Sequence, residues 1–285
     1  MEIVNLRTFK AVVDEGGLNG ASKKLNTVQS NITARIHKLE NELDTKLFSL
    51  IGRQLRLTPS GQLLYKYAVD ILQLEYQAAS AISRGKGSYN LRIGTPETFA
   101  AVHLPLVLKE LKQTHPEIKP KIFTATSSEQ VTAVLNSKVD CAVVGNATSH
   151  STLTSIPVVD EDLVIVSSLD GVYEPVLCVR EEGCAYRQSA LTWQQDAGRS
   201  DEEMMVMSSA DGVLGCVAAG LGYTVIGKNM VVGSRYEKSL LIEDVSHGPA
   251  QINISMIYRK DTPLEAGILK LISLFTKKKS VDTGS

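Results

Sequence analysis

The stretch LNTVQSNITARIHKLENEL, residues 25–43, constrains the fold more than any other part of the chain. Its apolar residues Ile32, Ile36, Leu39 and Leu43 are spaced four, three and four apart, the repeat that lines up one face of an α-helix. The opposite face carries Gln29, Asn31, Thr33, Arg35 and Lys38, a short-polar and basic set with no acid before Glu40. Upstream, Leu6, Phe9 and Val13 predict a first helix that Gly16-Gly17 ends. Asn19 can cap a short second helix from Gly20 to Leu25. Asn26-Thr27 breaks it, and Thr27 can cap the third. Two helices joined by a tight turn within about 20 residues form the helix-turn-helix pattern.

The next segment, LFSLIGRQLRLTPSG, contains a turn at Gly52 and the alternating run RQLRL. It reads as a wing, with Arg53 and Arg56 near its tip. Thr58-Pro59 then opens a helix, Thr as cap and Pro in the first turn, that runs to about Arg84. Along it Leu64, Tyr67, Ile71, Leu74, Ala78 and Ala81 step by three and four. This seam is narrower than a core-facing stripe. On a helix of roughly 40 Å it predicts self-association. The segment GKGSYN, residues 85–90, is a linker by composition. Beyond it strands and helices alternate, which predicts an α/β sheet, largely parallel.

Charge divides the chain in the same place. Residues 1–90 carry 12 Lys and Arg against 8 Asp and Glu, while the remainder carries 18 against 23. A basic front and an acidic remainder predict two jobs, one of them facing phosphates. The start, MEIVNLRTFK, lacks the basic-then-apolar pattern of a signal peptide, and no run reaches the ~18 apolar residues of a spanning helix. A cytoplasmic protein without membrane contact is expected. The cysteines Cys141, Cys178, Cys184 and Cys216 include no C-x-x-C pair, so no metal is expected. They read as free thiols in packed positions, with a redox role as the sharper alternative. No phosphate loop, G-x-G-x-x-G or nucleophile elbow is present, and the five histidines are scattered. Neither an enzyme nor a cofactor is expected.

The run LNGASKKLNTVQSNITARIHKLENELDTKLFSLIGRQLRLTPSG resembles the LysR-type family of bacterial transcriptional regulators. The resemblance is carried by Ala21, Leu25, Gln29, Leu39-Glu40, Leu47-Phe48 and Leu57-Thr58 with Gly61. It continues over the whole chain through LRIGT, VDCAVVG, VAAGLGYTVIG and MIYRK, in the family's order and spacing. Two positions depart from the family's pattern: Leu50 stands where an Arg is usual, and Asp44 where a Gly is usual. The second asks Asp for a turn conformation that Gly takes freely.

The resemblance implies a winged helix-turn-helix over residues 1–58, a linker and dimerisation helix over 59–87, and an effector-binding domain over 88–285. That domain is similar to periplasmic binding proteins: two α/β lobes, 88–162 plus 261–285 and 163–260, with a cleft between them. The implied function is a ligand-controlled, sequence-specific DNA-binding regulator, and the thiol-based alternative would use Cys184 or Cys178. In a helix-turn-helix the third helix enters the major groove of double-stranded DNA. Gln29 suits adenine, and Arg35 suits guanine or phosphate. Ser30, Asn31 and Thr33 are short enough for close approach. Lys38 adds charge, as do Lys23 and Lys24 more modestly, and Arg53 and Arg56 suit phosphate or the minor groove. A homodimer should meet a roughly palindromic operator, and the family implies homotetramers and RNA polymerase as a further partner.

In an α/β sheet, ligands gather beyond the carboxyl ends of strands. Such ends bring Thr95, Pro96, Glu97 and Thr98 to the expected cleft, with Gly145 and Asn146, and with Ser208 and Ser209. Cys184 and Arg187 are candidates at its mouth. Arg187 favours a carboxylate ligand, whereas Glu97 favours a cation or hydroxyl, and the residues leave that choice open.

Overall fold

The computed structural model describes residues 1–51, 54–84, 88–147, 149–171 and 174–282. It contains two compact units, Met1–Ile82 and Ser83–Ser285.

In the first unit, α1 (Ile3–Asp14), α2 (Leu18–Lys24) and α3 (Gln29–Glu42) precede the strands β1 (Phe48–Ile51) and β2 (Gln54–Leu57), and α4 (Pro59–Arg84) follows. Leu6, Phe9, Val12, Ala21, Ile32, Ile36, Leu39, Leu47 and Ala68 form one buried cluster. The apolar face expected for α3 is therefore buried except for its last member, Leu43, which is exposed. Helices α2 and α3 both end on a residue in the left-handed region, Asn26 (φ 49°) and Asp44 (φ 47°). After each, the next amide closes a six-residue turn, Thr27 N–H to Ser22 O and Thr45 N–H to Glu40 O. These are Schellman ends with Asn and Asp in the place that Gly usually holds. Asp44 thus adopts the conformation that its position demanded. Gly61 has a different reason to be glycine: a Cβ there would lie 2.2 Å from the Leu47 carbonyl oxygen.

Glu40 ties α3 to the wing. Its carboxylate is buried, accepts the Leu47 amide at 2.9 Å and pairs with Lys46 at 2.8 Å. Burial alone would raise its pKa, but Lys46 and the Leu47 and Phe48 amides more than offset this and hold it below the usual carboxylate range. The unfolded chain then takes up the proton first as pH falls. Stability from this contact is complete above the ordinary Glu value and is lost as pH drops through the lowered folded value. We expect a Met1–Ile82 fragment to lose stability as pH falls below the ordinary Glu value of about 4.3, and a shallower pH dependence in Glu40→Gln.

Helix α4 does not carry one seam. Leu64, Ile71 and Leu72 pack against the helix-turn-helix core, while Leu63, Tyr67, Leu74 and Ile82 are exposed. The first set anchors the helix to its own domain, and the second remains as an apolar stripe.

The second unit runs β3 (Tyr89–Thr95), α5 (Glu97–Val102), α6 (Leu104–Thr114), β4 (Ile118–Thr124), α7 (Ser127–Leu135), β5 (Cys141–Gly145) and β6 (Leu153–Ser168). It continues with β7 (Val176–Arg180), α8 (Ala185–Asp196), β8 (Glu203–Met207), α9 (Ala210–Ala218), β9 (Thr224–Gly227) and α10 (Lys228–Val231). Strands β10 (Leu240–Asp244) and β11 (Gln251–Arg259) and helix α11 (Glu265–Asp282) close it. In the first lobe β3 pairs in parallel with β4 and β5, and β11 pairs antiparallel with β5 and with the front of β6. The back of β6 pairs antiparallel with β9 and β10 in the second lobe, where β7 and β8 are parallel. The sheets are thus mixed rather than largely parallel, because the strands that cross between lobes run against the others.

One boundary needs correction. Strand β11 falls inside the 163–260 expected for the second lobe, yet its ladder partners, Leu153–Asp162 of β6 and Cys141–Gly145 of β5, belong to the first lobe. Strand β6 is also longer than its apolar core, LVIVSS, implied. Its front carries Pro157, which cannot donate to a ladder. The structure accommodates it at a register shift opposite Ile254/Ser255, on a stretch with β11 on one side only.

Candidate functional site

Two surfaces carry the predicted site residues, one in each unit. On α3, Gln29, Ser30 and Asn31 are exposed, as are Ala34, His37 and Lys38. Thr33 and Arg35 are half-buried. The Arg35 guanidinium reaches back to the Thr8 hydroxyl of α1 at 3.4 Å, so it flanks the core rather than heading the outer face. Lys38 pairs with Glu2 at 2.6 Å. That hydrogen bond raises the Lys38 pKa and lowers the Glu2 pKa. With Ile32, Ile36 and Leu39 buried, the 100° step points Ser30, Ala34 and Asn41 most directly outward, with His37 beside them. Ala34 and His37 were absent from the expected set because neither looks like a base reader in isolation. Arg56 is exposed on β2, opposite Ser49. Arg53 lies outside the described residues. Leu50 is 73% exposed on the neighbouring strand.

In the second unit the expected cleft residues separate into groups. Pro96, Glu97, Thr98, Gly145 and Cys184 line one narrow cavity with Phe99, Thr126, Ser127, Arg180, Tyr186, Ile252 and Ile254. Gly145, Asn146, Cys184 and Arg187 line a shallower adjoining groove of about 610 Å³. Arg187 does not line the narrow cavity. Its Nη1 donates to the Arg180 carbonyl at 3.0 Å and fastens the end of β7. Thr95 is fully buried with its hydroxyl on the Pro96 carbonyl. Ser209 caps α9 through the Gly212 amide at 3.1 Å, and Ser208 is exposed. Neither serine lines the cavity or the adjoining groove, but Ala210 and Asp211 directly after them line a further groove of about 580 Å³ with Glu97 and Thr98.

The cavity is held shut by contacts between the lobes. From the second lobe, Arg180 Nη1 donates to Glu97 Oε2 at 2.5 Å. The Ser128 amide at the start of α7 donates to the Gly183 carbonyl at 3.3 Å. The Tyr186 hydroxyl donates to Glu161, a buried carboxylate on β6. Burial, then the adjacent Glu161, pushes the tyrosine pKa well up, so it stays a donor. A Cβ on Gly145 would meet Ala185 Cβ at 2.6 Å, so glycine permits the close approach. The remaining space is about 30 Å³, about one water molecule. Arg180 was missed because a lone Arg ending an apolar strand has no local signal. Thr126 was missed because TSSE reads as a capping box, which it also is.

Of the cysteines named for the thiol alternative, Cys178 is buried on β7, and burial with the nearby Cys216 pushes its thiol up to about 11. A thiol so placed is protonated near neutrality and a poor nucleophile. Cys184 is partly exposed at the rim of the cavity. Among the described residues no cluster of three potential ligands for a metal occurs, and no helix is long and apolar enough to cross a membrane.

Comparison with known proteins matches both units. Residues 3–62 match the model of the bacterial regulatory helix-turn-helix protein, lysR family, and residues 84–279 match the LysR substrate binding domain. The chain belongs to the LysR family. Among curated relatives, the LysR-family chain is 32% identical to the uncharacterized HTH-type transcriptional regulator YusT of Bacillus subtilis, over 99% of its length and 98% of the relative's. It is 32% identical to the transcriptional regulator GltR of the same organism, covering 92% of each. Its fold matches that of full-length CbnR complexed with target DNA, with a TM-score of 0.65 at 20% identity, over 96% of this chain and 100% of that one. Full-length BenM matches with a TM-score of 0.60 at 20% identity, over 100% and 99%. The chain is a DNA-binding transcriptional regulator, a non-enzymatic role.

Proposed function

We propose that this LysR-family regulator reads a two-fold symmetric operator with α3 and responds to a small effector held between the lobes of residues 88–282. Ser30, Ala34 and His37 approach the base edges, with Gln29, Asn31 and Thr33 beside them. Arg35 braces the helix against α1 and presents its remaining donors to phosphate. Lys38 and the wing residues Arg53 and Arg56 supply positive charge along the backbone. Two copies join through the exposed stripe Leu63, Tyr67, Leu74 and Ile82, and tetramers form by further contacts of the second unit. RNA polymerase is the partner through which bound regulator acts.

The observation that carries the effector half is the cavity itself: apolar walls, few polar groups, and closure by side chains from both lobes. Sites of small ligands have this composition. A ligand shifts such a domain only as far as it binds one arrangement better than the other.

The DNA half is tested by selecting bound fragments from a random duplex pool with the full chain. We expect the enriched sequences to contain inverted repeats about one helical turn or a multiple apart. Gln29→Ala should relax the preference at one position per half-site, costing about 1–3 kcal/mol there. Enrichment without symmetry, or an unchanged motif in the variant, would refute the assignment.

A further inference from the structure

We propose that the cleft takes a small organic acid, whose carboxylate replaces that of Glu97 on the Arg180 guanidinium. The proposal rests on reading the cleft as the effector site and adds the chemistry of its ligand.

Arg180 and Glu97 are not equal partners. The Arg180 side chain is 11% exposed and that of Glu97 48% exposed. If the pair separates, Glu97 can turn to water at small cost, but Arg180 cannot. Left with only the 3.3 Å contact of its Nη2 to the half-exposed Glu181, the guanidinium would carry much of the penalty of a buried charge. The vacancy that opens on separation therefore calls for an anion. A cationic ligand would have to hold Glu97 and leave Arg180 on the Glu181 contact alone.

The guanidinium also has capacity to spare. Its Nε is buried and has no hydrogen-bond partner, while Nη1 holds Glu97 and Nη2 reaches Glu181 at 3.3 Å. A carboxylate is the group that can take two guanidinium N–H groups together as a fork, either the two Nη that Glu97 and Glu181 now hold or Nε with Nη2. Arg180 is the one Lys or Arg among the described residues lining this cavity. Around it stand Pro96, Phe99, Ala125, Ala185, Ile252 and Ile254, which suit a short apolar body behind the carboxylate. The present volume, about 30 Å³, cannot hold such a body, so binding and release of Glu97 are one event. The exchange conserves the number of paired charges, which keeps the two states close in energy.

The test uses the full chain at fixed ionic strength, with propionate, butyrate, benzoate and glutarate against their amides and propylamine, read by melting temperature and titration calorimetry. At least one acid should bind while its amide and the amine do not. Glu97→Gln removes the charged competitor and should tighten that acid about tenfold. Arg180→Gln should abolish binding. Arg180→Lys, which keeps the charge and loses the fork, should weaken it. Acid binding unchanged in Arg180→Gln, weaker binding in Glu97→Gln, preference for the amine, or no acid bound even by Glu97→Gln would each overturn the exchange. Gly145→Val separates the two readings, because its side chain collides with Ala185 and Ile252. Amine or amide binding that Gly145→Val abolishes would sink the acid and spare the cleft. Any ligand bound equally well by Gly145→Val would sink the cleft itself.

Discussion

Ala34→Glu should abolish operator binding while the protein melts at its usual temperature. Ala34 is exposed in the middle of α3, one turn on from Ser30 and on the side opposite buried Ile32, Ile36 and Leu39. Glu is as good a helix former as this position needs, so the fold has no reason to change. A carboxylate set between the helix and DNA meets phosphates on both walls of the major groove, and like charges so placed cost several kcal/mol. That corresponds to a loss of about a thousandfold. Fluorescence anisotropy on a selected operator reads it directly. Affinity within about threefold of the parent would mean that this face of α3 does not enter the groove.

The largest effect on stability is expected from Tyr186→Phe. Glu161 is 1% exposed, and the tyrosine hydroxyl is its described hydrogen-bond donor. Its other oxygen, Oε1, is buried without a partner, with His103 Nε2 3.8 Å away, too far for a hydrogen bond. Removing one hydroxyl leaves a buried carboxylate with nothing to hold. The cost is about 3 kcal/mol, or a melting temperature lower by roughly 6–12 °C for a unit of this size. The double variant with Glu161→Gln should recover part of the loss, because an amide is cheaper to bury than a charge. A drop of under about 2 °C in the single variant would show that the pair contributes little.

Both predictions turn on residues that were hard to see beforehand, and the reasons differ. The helix-turn-helix was legible because its core residues recur at helical spacing within one short stretch. The same spacing overestimated Arg35: a residue one step off the core stripe looks outward on paper, yet a long side chain folds back to Thr8. Pro96, Glu97, Thr98 and Gly145 were legible as strand ends, since a parallel strand delivers its last residues to one edge. Arg180 was not, because its meaning comes from Glu97, 83 positions earlier, and no local pattern encodes that meeting. Ser208 and Ser209 show a complementary ambiguity. A strand-to-helix junction needs a cap whether or not a ligand is near, and Ser209 serves that need.

Strand β6 has a consequence for how a signal would be stored. Its pairing with β11 ends at Asp162, and its pairing with β9 begins at Leu163. No rung of either ladder includes residues from both sides of that point. Twisting the strand there leaves each ladder whole, so the backbone acts as a torsion spring with little say in where it rests. The resting angle is set by a few side-chain clasps and the Ser128–Gly183 bond. A regulator built this way can be retuned to a new threshold by single substitutions at those clasps, with both lobes left unaltered.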